Sequence, residues 1–149
     1  MSTVFVLTSS ALGDASVSNQ LVREALSTLR VREPGLQVTT RDLGSSPIPH
    51  LTLDAASALR GAEPANGQQA AARVLSDELI AELQAADTVI IGSPMYNFGI
   101  ASTLKAWFDY VLRAGVTFRY AEDSPVGLLQ GKRAIVIESR GGLYSEGPA

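Results

Sequence analysis

Short apolar runs and amphipathic stretches alternate along the chain. Val4-Phe5-Val6-Leu7, Val89-Ile90-Ile91 and Ala134-Ile135-Val136-Ile137 are unbroken and rich in β-forming residues. Such runs mark strands that are dry on both faces, as in a parallel sheet. The weaker stretch Leu36-Gln37-Val38-Thr39-Thr40 predicts a strand nearer the sheet edge. Between the runs, Val22, Ala25, Leu26 and Leu29 recur at helical spacing, with Ser16 or Ser18 as N-cap. Leu75, Leu79 and Leu83 form a second stripe, and Leu104, Trp107, Phe108 and Val111 a third.

The predicted order is therefore β-α-β-α-β-α-β, an α/β chain whose strands form a parallel sheet through right-handed crossovers. From Gly44 to Gln69, with Pro47, Pro49, Pro64 and Gly67, the pattern fades into a long connection holding at most a short helix around Ala55 to Arg60. There is no internal repeat and no low-complexity tract.

Length and composition narrow the class. At 149 residues, 46% hydrophobic and 18% charged, the chain is expected to be one domain spanning residues 1–149. Net charge is −3, and the basic residues are scattered, with Lys105 and Lys132 the only lysines, so no patch suits nucleic acid. The absence of cysteine excludes disulfides and thiolate chemistry, and the single histidine, His50, leaves little room for a metal site. No apolar run approaches the length of a membrane span, and no secretory signal opens the chain, so a cytoplasmic location is expected.

In an open α/β sheet, ligands collect beyond the carboxyl ends of the strands. Three loops follow the strong strands. The first, Ser9-Ser10-Ala11-Leu12-Gly13-Asp14-Ala15-Ser16-Val17-Ser18-Asn19, offers hydroxyls at a helix start but no cation. A terminal phosphate held by neutral dipoles fits it better than a nucleoside triphosphate or a dinucleotide; N-capping and turn formation alone would also account for these residue types. The second, Gly92-Ser93-Pro94-Met95-Tyr96-Asn97-Phe98-Gly99, sets aromatic and amide groups beside glycines, suited to a flat heteroaromatic ring. The third, Ser139-Arg140-Gly141-Gly142, permits close backbone approach to a ligand.

With these loops, the segments Pro47-Ile48-Pro49, Leu75-Ser76-Asp77-Glu78-Leu79-Ile80-Ala81-Glu82-Leu83, Pro94-Met95-Tyr96-Asn97-Phe98 and Arg113-Ala114-Gly115-Val116-Thr117-Phe118-Arg119-Tyr120 occur in an order that resembles the FMN-dependent NADH-azoreductase family, flavodoxin-like quinone and azo reductases. The likeness covers essentially the whole chain. It implies a flavodoxin-like doubly wound sheet of strand order 2-1-3-4. It also implies FMN as cofactor, NADH or NADPH as reductant, and quinones and azo compounds as acceptors in a ping-pong cycle on a homodimer.

Residue by residue, the resemblance implies that Ser10 and Ser16-Val17-Ser18 bind the FMN phosphate. Met95, Tyr96, Asn97 and Phe98 would surround the ring and ribityl chain, and Ser139, Arg140, Gly141 and Gly142 would close the other side. Arg60, Phe98 and Tyr120 would border the substrate. No dedicated catalytic acid or base and no metal ligand is expected. Family members continue past the point corresponding to Gly147-Pro148-Ala149 with a further helix, a fifth strand and a last helix, so the fifth strand is expected to be missing from this chain and Ala134 to Glu138 to form an edge. Two other readings compete: an FMN-binding electron carrier, and a phosphodiesterase using Ser9 or Ser10 as nucleophile.

Overall fold

The computed structural model describes residues 2–144; Gly147, Pro148 and Ala149 lie outside them. Each strong apolar run is a strand: β1 (Thr3–Thr8), β3 (Thr88–Pro94) and β6 (Arg133–Ser139). The weaker stretch is β2 (Gln37–Asp42). They pair in parallel in the order β2-β1-β3-β6, which is the expected 2-1-3-4 with β6 as the fourth strand along the chain to join the sheet.

The continuous apolar character of β1 follows from its place inside the sheet. Phe5 and Leu7 enter the larger core, beneath helices α2 (Leu53–Leu59), α3 (Gly67–Ala85) and α4 (Ser102–Val111). Val4 and Val6 enter the smaller core, where Val22, Leu26 and Leu29 of α1 (Val17–Arg32) cover the other face. In β3, Val89 and Ile91 serve the first core and Ile90 the second. Each square ångström of apolar surface removed from water contributes roughly 25 cal/mol, and these two layers hold the loop ends in register. Ile135 and Ile137 of β6 pack on the α1 side, while Val136 stays 60% exposed, so among the described residues β6 is a sheet edge.

Two features depart from the expected pattern. The helix α3 begins at Gly67, inside the stretch read as a connection, because Asn66 caps it by accepting the Gln69 N–H at 2.8 Å. The polar first turn, Gly67-Gln68-Gln69, hides that start from a reading of apolar periodicity. The second is an antiparallel hairpin of β4 (Phe118–Tyr120) and β5 (Pro125–Gly127), whose strands of three residues are too short to show alternation. No helix among the described residues is long and apolar enough to cross a membrane.

Candidate active site

The crossover from β1 to α1 supplies the first wall. Ser16 is the N-cap of α1, its Oγ accepting the Asn19 N–H at 3.1 Å and lying 3.1 Å from Ser18 Oγ. Ser10, Ser16 and Ser18 are all buried. Among the described residues, the N–H groups of Val17 and Ser18 have no acceptor, as the first turn of a helix requires. Unpaired N–H groups, hydroxyls and the positive end of the α1 dipole thus meet in one place. Ser9 is already committed: its Oγ donates to the Gly92 carbonyl at 2.8 Å, and it is buried. His50, the single histidine, lines a groove with Pro49, Thr52 and Tyr110 that Ser9 does not border.

The second wall is a tight turn. Tyr96 and Gly99 exchange both backbone hydrogen bonds, at 2.9 and 3.1 Å, around Asn97 and Phe98. Both central residues have positive φ, 52° and 64°. That is the requirement of a type I′ turn, where Asn followed by Gly is the usual choice. A phenylalanine held there costs of order 1–3 kcal/mol and throws its ring outward, 69% exposed. The turn therefore spends stability on presenting an aromatic surface.

The third wall comes off β6. The Ser139 carbonyl accepts the Met95 N–H at 2.7 Å, which carries the β3–β6 pairing into the two loops. Phe98 meets Tyr144 edge to face at 5.0 Å, and the Tyr144 ring covers Gly142, where a Cβ would lie 3.3 Å from it. Arg140 is exposed and pairs with Glu138 at 3.5 Å. All three loops converge at the carboxyl end of the sheet.

Two contributors escaped the sequence reading. Gly44, just after β2, lies so close to the first loop that a Cβ would sit 2.1 Å from the Ser10 carbonyl oxygen. Asp42 fixes that approach, its Oδ1 accepting from Thr8 Oγ1 at 3.1 Å and from the Gly44 N–H at 3.0 Å. The available signal was a glycine two residues beyond a strand-end aspartate. Tyr144 is the other, marked only by following two glycines.

The residues expected on the substrate side separate. Phe98 borders a shallow groove of about 190 Å3 with Met95, Gly99, Ile100 and Glu138. Arg60 and Tyr120 line a different cavity of about 590 Å3, with Leu59, Arg73, Phe108 and Phe118. Within one chain the two groups do not form a common site.

Residues 2–149 match the family model described as flavodoxin-like fold. The chain is 55% identical to the FMN-dependent NADH:quinone oxidoreductase of Hyphomonas neptunium, over 100% of this chain and 71% of the relative. It is 49% identical to FMN-dependent NADH:quinone oxidoreductase 2 of Pseudomonas fluorescens, over 100% of this chain and 75% of the relative. Among solved structures it resembles an azoreductase from Bacillus anthracis str. Sterne, with TM-score 0.89 and 29% identity over 99% of this chain and 73% of that one. An FMN-dependent NADH-azoreductase from Bacillus anthracis str. Ames Ancestor, in complex with FMN, gives TM-score 0.84 and 27% identity, covering 97% and 72%. With half its residues shared along its whole length, the chain belongs to the FMN-dependent NADH:quinone oxidoreductase family of the flavodoxin-like fold.

Proposed function

We propose that residues 1–149 form one FMN-binding domain that passes electrons from NADH to quinones and, in two successive cycles, cleaves azo compounds to amines. The observation that carries this reading is the convergence of the three loops. Met95 N–H reaches the Ser139 carbonyl at 2.7 Å, and Tyr96 Oη takes the Ala11 N–H at 3.0 Å. The donor set suits FMN: Ser10, Ser16, Ser18 and the first amides of α1 would hold the phosphate. Met95 to Phe98 would hold one side of the ring, and Ser139 to Gly142 the other. Bound FMN supplies the two-electron chemistry.

The chain's own part is to seat the ring against the turn after β3 and to leave one face open. No side chain in the loops has to move a proton at a fixed atom, since a reduced acceptor can take one from water. Because one open face serves both partners, oxidised NADH leaves before the acceptor enters. Steady-state rates at several fixed quinone concentrations are expected to give parallel double-reciprocal plots; intersecting lines, the mark of both substrates bound together, would contradict that order. The relatives' oxidoreductase names favour an enzyme over an electron carrier. Hydrolysis with Ser9 as nucleophile is disfavoured by the engagement of its hydroxyl with Gly92.

The acceptor side points to a homodimer. A groove of about 190 Å3 beside Phe98 is smaller than the roughly 300–1,000 Å3 that encloses a drug-sized ligand. Arg60 and Tyr120, placed elsewhere in their own chain, border the acceptor if a second copy brings them to Phe98. Light scattering on the FMN-loaded protein is expected to give twice the chain mass, and a monomer that still reduces quinone would remove the second copy from the site.

A further inference from the structure

One phenol ties two of the three loops together across 86 residues of sequence. Tyr96 Oη accepts the Ala11 N–H at 3.0 Å and lies 3.2 Å from Ser10 Oγ. Ser10 Oγ in turn accepts the Leu12 N–H at 3.2 Å. The phenol is itself held, because the Tyr96 backbone closes the turn with Gly99 and its ring is half-buried against the larger core.

The protons can be counted. Ser10 and Tyr96 carry one hydroxyl proton each, and one of the two is used between the oxygens. In either polarity a single O–H is left over, while both oxygens already accept a backbone N–H. What the pair presents to a ligand is thus one oriented donor, matched to an anionic acceptor. Removing the phenol leaves Ala11 without an acceptor and lets the Ser10 hydroxyl rotate.

We propose that Tyr96, whose backbone belongs to the ring-binding turn, is a positioning residue for the phosphate end. Its hydroxyl sets the course of Ser10 to Leu12 and so selects the phosphorylated flavin over the unphosphorylated one. This rests on the reading of the loops as an FMN site. The ring-side contact and the phosphate-side role belong to different parts of one side chain, and Tyr96→Phe separates them by keeping the ring and deleting the oxygen.

The test compares wild-type and Tyr96→Phe apoprotein for FMN and riboflavin affinity by flavin fluorescence quenching, together with amide hydrogen exchange in the flavin-free proteins. The loss of one preorganised hydrogen-bond network is expected to weaken FMN about tenfold while changing riboflavin by less than about twofold. Exchange at Ala11 and Leu12 is expected to speed up in the variant, which a role confined to packing would not produce. Equal weakening for both flavins, unchanged FMN affinity, or unchanged exchange at Ala11 would overturn the positioning role alone. A folded wild-type protein that binds neither flavin would overturn the FMN reading and this proposal with it.

Discussion

Gly44→Ala is expected to cost about 3 kcal/mol of stability and to weaken FMN binding more than tenfold, at the upper end of the usual overpacking range. A methyl group there would lie 2.1 Å from the Ser10 carbonyl oxygen, closer than any nonbonded contact allows. The obstacle is backbone, which has no rotamer to change. Either the first loop moves off the end of β1, disturbing Ser10, or the Asp42 contacts to Thr8 and Gly44 break. Urea unfolding and FMN titration on the same sample check both effects. A variant as stable as the wild type that keeps its FMN affinity would show that Gly44 does not brace the loop.

The second large effect is expected at Trp107. It is buried in the larger core on α4, the helix that follows directly on the ring-binding turn, and it meets Phe108 edge to face at 5.1 Å. Truncation to alanine removes one of the largest buried side chains, with an expected loss of about 3–5 kcal/mol. Against a total stability of roughly 5–15 kcal/mol, that leaves a marginal domain. Trp107→Phe is expected to lose much less. Its indole Nε1 has no hydrogen-bond partner among the described residues, so the exchange leaves no acceptor bereft. Denaturant midpoints for the two variants check the contrast; similar losses for Phe and Ala would mean that ring volume is not what the site requires.

The sheet was legible because its signal is local. Val4 to Leu7 and Val89 to Ile91 are apolar at consecutive positions since both faces of β1 and β3 are covered, although Ala134 to Ile137 of the edge strand β6 shows the same run. A serine cap at 16 or 18 was legible for the same reason, and Ser16 is the one whose hydroxyl serves an amide three residues away. The hairpin of β4 and β5 was not, since three residues per strand carry no period.

The site divides in the same way. Loop positions followed from strand ends, but the contacts that shape them join residues far apart in sequence. Gly44 meets Ser10 only because β1 and β2 pair with Thr8 opposite Asp42. Tyr96 meets Ser10 only because β3 lies beside β1 in the sheet. No spacing in the chain encodes either approach until the register is known. Arg60 and Tyr120 illustrate the opposite limit: one cavity brings them together, yet Phe98, named with them for the substrate, lies in another.

The most direct measurement is the visible spectrum of purified protein given FMN and freed of excess, then treated with NADH under anaerobic conditions and afterwards with a quinone. The three-loop site predicts retained flavin absorption that bleaches with NADH and returns on adding the quinone. A folded protein that releases all its FMN, or retains FMN whose colour NADH does not discharge, would contradict it.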